Sequence, residues 1–329
     1  MLRILHDTNY DFIRWWKWAF GLTAAFLLLG LISLFVVPPP YSIEFTGGTL
    51  LQVEFTKPAD AGRIRSTLET AGVHGAEIQQ FGSNREYTVR AQDAALVEAQ
   101  AAGAATIANR IESVLREEFG ADQLQIVRTE AVGPRVGDEL RRGAIIAILI
   151  SFVIVLIYLS IRFEWRFAAA AVIATTHDII GTVAFIALMR LEISLTIVAG
   201  LLTVLGYSLN DTIIIFDRAR ENLRKGRKES LYVTLNRSIN ETLPRSIMTH
   251  ATALASTFAL LIFAGDVLRP FAWVMSFGII TGAFSSIYVA APVLLWIERK
   301  WPRETGARTS SSTATPTSRT RRSPATATP

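Results

Sequence analysis

Long apolar runs alternate with polar segments along the chain, and six of the runs are long enough to cross a membrane. A helix needs about 20 residues to span a hydrocarbon core of about 30 Å, so each run predicts one transmembrane helix. The longest polar stretch, 38–140, separates the first two runs. The predicted spans are 16–37, 142–161, 167–189, 193–216, 246–264 and 271–296.

The first apolar run is expected to remain in the protein as a membrane anchor. Its core is longer than the apolar region of a signal peptide, which has roughly 7–15 residues. It ends at three consecutive prolines, 38–40, and not at a small-residue cleavage site.

The polar stretch between the first two spans has the pattern of a small α+β domain. Strand-like segments at 49–55, 76–81, 86–90 and 123–132 are interrupted by helical segments at 60–71 and 94–119. The order βαββαβ is that of a ferredoxin-like domain. The predicted fold class is therefore an α-helical polytopic membrane protein with six transmembrane helices and one extracytoplasmic α+β ferredoxin-like domain. Since this fold hosts many functions, the domain by itself assigns none.

The positive charges indicate how the chain is oriented in the membrane. Half of the residues are hydrophobic, the net charge is +5 and there is no cysteine. Lysine and arginine concentrate at both ends and in the connections after the second and fourth spans, which predicts that both termini are cytoplasmic. The same charges favour contact with anionic lipid. Nucleic-acid binding is disfavoured because no aromatic or glycine-rich pattern accompanies them.

These patterns divide the chain into four regions. The regions are an amino-terminal segment with the first span (1–37), the extracytoplasmic domain (38–140), the five further spans (141–298) with a cytoplasmic loop (217–245), and a tail (299–329). The tail is rich in Ser, Thr, Ala, Pro and Arg, has almost no large apolar side chains and is expected to be disordered.

Two aspartates lie inside predicted spans. Asp211 lies in a nearly continuous apolar run, where a carboxylate costs roughly 2.5–3.5 kcal/mol on insertion scales. It is therefore expected to face protein or water and to have a role there. Asp178 lies beside His177 in the third span, and a proton relay or simple hydrogen bonding to neighbouring Ser and Thr would both account for the pair. A metal site with His250 is disfavoured, because the spacing of paired ligands is missing.

Five stretches together resemble the SecD/SecF family of protein-export membrane proteins, which belongs to the wider group of proton-driven RND-type proteins. They cover residues 10–300 in the order of the family, with one anchor, one domain and five further spans. Glu44 stands where members usually have aspartate, and Ser246 where they tend to have threonine. The stretches are 43–49 (Ile-Glu-Phe-Thr-Gly-Gly-Thr), 132–140, His177-Asp178, 207–218 with Glu221-Asn222, and 242–249.

The resemblance implies proton conduction by an acid and an arginine, which match Asp211 and Arg245 here. An aspartate beside a guanidinium stays ionised, and the same aspartate released into apolar surroundings gains a proton, so the pair can act as a switch. A static ion pair that fixes helix packing is the alternative. Together with Asp178 and His177, these residues are the proton-conduction candidates.

Supporting positions flank this site. Asn210 and Asp217 belong to the same run, and Asp217 is expected to pair with Arg218 or Arg220 near the membrane surface. Leucine and isoleucine recur every four residues at 231–243, which predicts an amphipathic helix on the inner surface that ends at Pro244.

Gly47 and Gly48 lie just after the first span and predict a tight turn at the membrane exit. Direct contact of this turn with a substrate chain is the less favoured interpretation.

The resemblance implies an accessory subunit of the Sec protein-export machinery in the bacterial cell (inner) membrane, which uses the proton motive force to promote translocation or release of preproteins. It implies SecD, the SecYEG translocon, YajC and the translocating preprotein as partners. No nucleotide-binding Gly-x-x-x-x-Gly-Lys-Ser/Thr run occurs, which favours an ion gradient as energy source. We expect no enzymatic activity, cofactor or metal. An RND-type exporter of small molecules or lipids and a purely structural translocon scaffold remain the alternatives.

Overall fold

Six apolar helical segments and one small α+β domain make up the fold. The structure, a computed structural model, describes residues 8–80, 83–91, 105–225 and 229–302. Within that part, six segments are long and apolar enough to cross a membrane, which confirms the hydropathy prediction. In chain order the elements are α1 (Trp16–Val36), α2 (Ile43–Thr46), β1 (Gly48–Phe55), α3 (Ala61–Thr70), β2 (Glu77–Gln80), β3 (Glu86–Ala91), α4 (Ala105–Phe119), β4 (Leu124–Val132), α5 (Pro134–Arg162), α6 (Trp165–Leu188), α7 (Leu195–Arg224), α8 (Leu231–Phe263), α9 (Gly265–Ser285), a π-helical turn (Ser286–Ala290) and α10 (Ala291–Lys300).

Helices α6, α7 and α9 form the centre of the bundle, and α1, α5 and α8 lie at its periphery. Glycines allow α7 and α9 to approach closely. A Cβ atom added at Gly278 of α9 would lie 2.2 Å from the side chain of Val204, and one at Gly282 would lie 3.1 Å from the Cα of Ser208. The close approach brings polar side chains of the two helices into one layer.

The α+β domain has the predicted ferredoxin-like topology. Its sheet has the strand order β2-β3-β1-β4 with antiparallel neighbours throughout. Helices α3 and α4 pack on one face, where Leu51, Val53, Ile64, Leu68 and Ile111 form a fully buried core. Inward-pointing residues alternate along β1 and recur each turn along the helices, so the pattern of the sequence is sufficient to build this core. The start of the predicted second helix, before Ala105, lies outside the described residues.

The prediction that Pro244 ends a surface helix is wrong, because α8 runs through Pro244 without a break from Leu231 to Phe263. Leu235 and Ile239 are buried in the bundle core and do not face lipid. The surface location was wrong because an apolar stripe has the same spacing whether lipid or protein covers it. The helix continues because packing on both sides of Pro244 outweighs the one backbone hydrogen bond that proline removes.

The predicted cytoplasmic loop, 217–245, is therefore mostly helical, because α7 extends to Arg224 and α8 begins at Leu231. The tail beyond Pro302 lies outside the described residues.

Candidate functional site

Asp211 is buried in α7 at the contact with α8. Only 3% of the residue is exposed, and Ser246 of α8 donates a hydrogen bond from Oγ to Asp211 Oδ1. The other carboxylate oxygen, Oδ2, is also buried and has no hydrogen-bond partner among the described residues. His250 lies one turn further along α8 than Ser246, and its ring packs against Tyr207 of α7. Asp211 is thus held through one oxygen and keeps the other free for a proton.

Arg245 does not meet Asp211 in this structure. Arg245 is exposed on α8, and the hydrogen bond to Asp211 comes from the adjacent residue, Ser246. Consecutive helical residues point about 100° apart, so a helix that turns Ser246 toward Asp211 turns Arg245 away. The ion pair that we expected from the sequence is not formed within the described residues.

Arg245 belongs to a polar stripe on the exposed side of α8. Thr249, Thr252 and Ser256 follow it at helical spacing, and all of them are exposed. Asn210 of α7, the supporting candidate beside Asp211, is likewise exposed. We call Arg245, Thr249, Thr252 and Ser256 of α8 the polar stripe.

Asp178 of α6 is fully buried and held by three side chains. Ser285 donates to Asp178 Oδ2 at 2.5 Å, Ser208 of α7 donates to the same oxygen, and His177 Nδ1 lies 3.0 Å from Oδ1. Hydrogen bonding to neighbouring serines is therefore present, and so is the histidine contact that a relay would need. His177 also borders a cavity of about 810 Å³, lined by α1, α6, α8 and α10 at the end of the bundle away from the α+β domain.

A buried polar layer connects the two aspartates. Thr212, which follows Asp211 in α7, shares a hydrogen bond of 2.8 Å with Ser286, the neighbour of Ser285. Ser286 begins the π-helical turn between α9 and α10. Such turns inside longer helices occur frequently at functional sites, because they interrupt the regular hydrogen-bond ladder.

Asp217 lies away from the buried layer in the last turns of α7. It pairs with Arg162 of α5 at 2.6 Å and more loosely with Arg220 at 3.7 Å. Arg218, the other partner that we considered, instead contacts Glu241 and Glu221. The side chain of Asp217 is 43% exposed, which is typical of a surface ion pair.

The Gly47–Gly48 segment joins the α+β domain to the bundle. These glycines have φ angles of 74° and 122°, a backbone conformation that favours glycine. The first turn of α5 packs directly on this segment, because a Cβ added at Gly137 would lie 3.1 Å from the Gly47 nitrogen.

Glu44, just before this turn, contacts the first turn of α7. Its Oε2 accepts hydrogen bonds from the Leu195 N–H at 2.6 Å and from the Ser42 hydroxyl at 3.2 Å. Ile193 adds two backbone hydrogen bonds, one from the Ser42 N–H at 2.9 Å and one to the Pro40 carbonyl at 2.8 Å. A carboxylate at a helix N-terminus is favourable, because the unpaired N–H groups carry partial positive charge. The helix that carries Asp211 is therefore bonded to the base of the domain.

The sequence did not reveal the side chains that hold the two aspartates. Ser208, Ser285, Ser246 and His250 are ordinary residues of apolar helices until the helices are packed together. One spacing was visible in the sequence, because His250 lies one turn after Ser246. Which of the serines and threonines face an aspartate depends on helix rotation, which hydropathy does not give.

Six apolar helices, one ferredoxin-like domain and two aspartates buried between the helices define a class of polytopic membrane proteins with intramembrane ionisable sites. Two family models match this chain: "Protein export membrane protein SecD/SecF, C-terminal" over residues 111–300, and "SecD/SecF GG Motif" over residues 32–59. The chain belongs to the SecD/SecF family.

Relatives with curated names agree with this assignment. The chain is 60% identical over 305 residues to protein translocase subunit SecF of Gemmatimonas aurantiaca, covering 92% of this chain and 91% of the relative. It is 38% identical over 291 residues to protein translocase subunit SecF of Escherichia coli O157:H7, covering 88% of each.

Solved structures of SecDF share the fold. SecDF of Thermus thermophilus, a translocon-associated membrane protein, matches with a TM-score of 0.76 and 32% identity over 91% of this chain. SecDF in a super-membrane-facing form matches with a TM-score of 0.62 and 35% identity over 90%. This chain spans 40% of the length of each of those SecDF chains.

Proposed function

We propose that this chain is an accessory subunit of the Sec protein-export machinery, which works with SecD and uses the proton motive force to promote translocation or release of preproteins. The SecF relatives are protein translocase subunits, and the similar SecDF structure is translocon-associated. In this proposal the chain is a coupling subunit and not an enzyme, and it requires no catalytic residue, cofactor or metal.

The observation that carries the proposal is the state of the Asp211 carboxylate. It is buried in a membrane helix with one hydrogen bond and one unpaired oxygen. A buried carboxylate without a full set of partners is costly when ionised, so its protonation changes the stability of the helix contacts around it. Such a group can convert proton binding into helix movement.

A continuous path leads from Asp211 to the α+β domain. Asp211 lies about 24 Å along α7 from Leu195, at about 1.5 Å per residue. At Leu195 the helix is bonded to Glu44, and the preceding loop pairs Glu192 with Arg90 of strand β3. A shift or tilt of α7 would therefore be transmitted to the domain through these contacts.

The polar stripe supports the partnership with SecD. Charged and polar side chains that face lipid along a membrane helix are expensive, so this side of α8 is expected to be covered by protein. A second six-span subunit supplies that cover and can bring a counter-charge for Arg245, which has none among the described residues. SecYEG, YajC, the preprotein and anionic lipid are further partners of the proposal, which rest on the family resemblance.

We place the chain in the bacterial cell membrane with both termini in the cytoplasm. Six apolar helices support a membrane location, and the basic residues at the ends of the chain support this orientation. The α+β domain then lies outside the cytoplasm, where a translocating polypeptide emerges.

The proposal is tested with the chain and SecD reconstituted together with the translocon in vesicles. Release of a preprotein is measured with and without a proton gradient for the wild type, Asp211→Asn and Arg245→Met. We expect the gradient to accelerate release in the wild type only. Asp217→Asn is the matched control, because it removes an aspartate of α7 that forms a surface ion pair.

Equal gradient dependence in the wild type, Asp211→Asn and Arg245→Met would contradict proton coupling through this site. It would instead favour a structural scaffold.

A further inference from the structure

His250 of α8 is a second ionisable group at the Asp211 site. Only 9% of the residue is exposed, and its ring packs edge-on against Tyr207 of α7, with 5.5 Å between the ring centroids. Its Nδ1 lies 2.5 Å from the backbone carbonyl oxygen of Ser246. Because a carbonyl oxygen only accepts, Nδ1 carries a hydrogen, and Nε2 is the nitrogen that can gain or lose a proton.

Two buried atoms at this site have no hydrogen-bond partner in the described part of the chain: His250 Nε2 and Asp211 Oδ2. Ser246 connects the two residues, since its hydroxyl donates to Asp211 and its carbonyl accepts from His250. Buried polar atoms are rarely left unpaired in native proteins, and a pair of them in one cluster indicates a place for a proton or a water molecule.

We propose that His250 is the proton partner of Asp211. One proton passes between His250 Nε2 and Asp211 Oδ2 through a bridging water molecule, because the two atoms are not hydrogen-bonded to each other. The N–H bond of the imidazolium breaks and an O–H bond forms on the carboxylate, so a charged pair becomes a neutral pair with the same total charge. The hydrogen bonds to Ser246 hold both groups in either state. The inference rests on the proposed function, because it specifies how Asp211 exchanges its proton.

Among the ionisable groups near His250 in the described part of the chain, Asp211 is the one that can exchange a proton with it. From α7, Tyr207 also faces the ring, but its hydroxyl donates to the Thr249 carbonyl at 3.1 Å. On α8 itself, Arg245 is on the exposed side. The ionisable residues of α9 are at positions 266 and 269, in its first turns, beside the end of α8. They are about 20 Å from His250 along α8, at about 1.5 Å per residue.

The test measures proton flux into liposomes that contain the full chain together with SecD. Flux is recorded between about pH 5 and 8, the range in which a histidine changes charge. We expect His250→Gln to slow the flux at least tenfold, because a positioned acid or base contributes about 10²–10⁴-fold. The inflection due to histidine should also vanish from the pH profile. His74→Gln, which removes an exposed histidine of the α+β domain, is the matched control and should change neither quantity.

Infrared difference spectra of the unmodified protein provide a measurement that does not depend on a variant folding. Transfer predicts that a carboxylic-acid band appears as an imidazolium signal falls. We expect both signals to be lost together in Asp211→Asn.

Three results would overturn the proton-partner role. The first is an unchanged rate and pH profile in His250→Gln while Asp211→Asn is inactive, which would leave the proposed function intact. The second is a slower flux that keeps its histidine inflection, since His250 would then act in packing only. The third is unchanged gradient dependence in Asp211→Asn, which would contradict the proposed function and this inference together.

Discussion

Each of the two buried aspartates is held by hydroxyl groups from other helices. Among the described residues, Asp178 receives hydrogen bonds from Ser208 and Ser285, whereas Asp211 receives one, from Ser246. Hydrogen bonds to a charged group are worth about 1.5–3 kcal/mol each, so the number of donors decides how firmly each carboxylate is held in its ionised form. Asp178 therefore suits a structural role better than Asp211, although its contact with His177 keeps a relay possible.

At the residue scale, Asp178→Ala should be strongly destabilising. We expect a loss of about 2–4 kcal/mol in the free energy of unfolding, because the serines and His177 lose their common partner and a cavity forms. Thermal unfolding of the purified protein in detergent measures the change. Asp217→Ala serves as the control and should cost about 0–1 kcal/mol, since its ion pairs are exposed. Equal effects of the two substitutions would show that the Asp178 cluster contributes little to stability.

At the scale of single elements, α7 has the most distinctive position. Its first turn is bonded to the base of the α+β domain, its middle carries Asp211, and its close contact with α9 depends on glycine. A helix this well packed moves as a unit, because cores of such density do not deform locally. The motion that the proposed function requires is therefore a displacement of α7 as a whole.

The glycine contact between α7 and α9 predicts a large difference between two similar substitutions. Gly278→Ala places a methyl group 2.2 Å from Val204, so it should lower stability by about 1–3 kcal/mol. Gly206→Ala adds a methyl group where no atom lies within 4 Å, so it should be neutral or stabilising by up to about 1 kcal/mol. Chemical or thermal unfolding in detergent compares the two. Equal stabilities of the two variants would contradict this prediction, because they would mean that α7 and α9 can move apart to accommodate the methyl group without loss of free energy of unfolding.

The contact between Glu44 and α7 predicts a local effect on the helix. Glu44→Ala should speed amide hydrogen exchange in the first turn of α7 about fivefold to tenfold, because loss of a cap costs about 1 kcal/mol. Exchange around Thr212 should stay unchanged. Glu130→Ala, which removes a carboxylate paired with Arg128 inside strand β4, is the control. Exchange that remains slow in the first turn would show that the backbone bonds of Ile193 suffice.

At the scale of the whole molecule, the described chain presents one polar side among apolar ones. Helices α1 and α5 expose mainly large aliphatic and aromatic side chains, as expected for surfaces that face lipid. The polar stripe on α8 departs from this pattern and indicates a protein interface. In the SecDF structures the matched region is 40% of a longer chain, so more than half of each of those chains lies outside it.

The interface prediction concerns the assembly with SecD. Thr252→Trp should reduce co-purification of SecD at least tenfold, a change of about 1.4 kcal/mol, because a bulky ring in the middle of the polar stripe prevents close helix contact. Ile154→Trp on the exposed face of α5 is the control and should leave co-purification unchanged. Equal recovery of SecD with both variants would place the interface elsewhere.

The sequence by itself determined the six apolar spans, the domain topology and the place of Asp211 inside one of the spans. Apolar length and strand–helix periodicity are local properties, so they are readable along one dimension. The tertiary structure decided which groups meet. It turned Arg245 away from Asp211, brought Ser246 and His250 to it, and continued α8 through Pro244. Contacts between helices depend on rotation and close packing, which arise only when several segments are brought together, and no single segment encodes them.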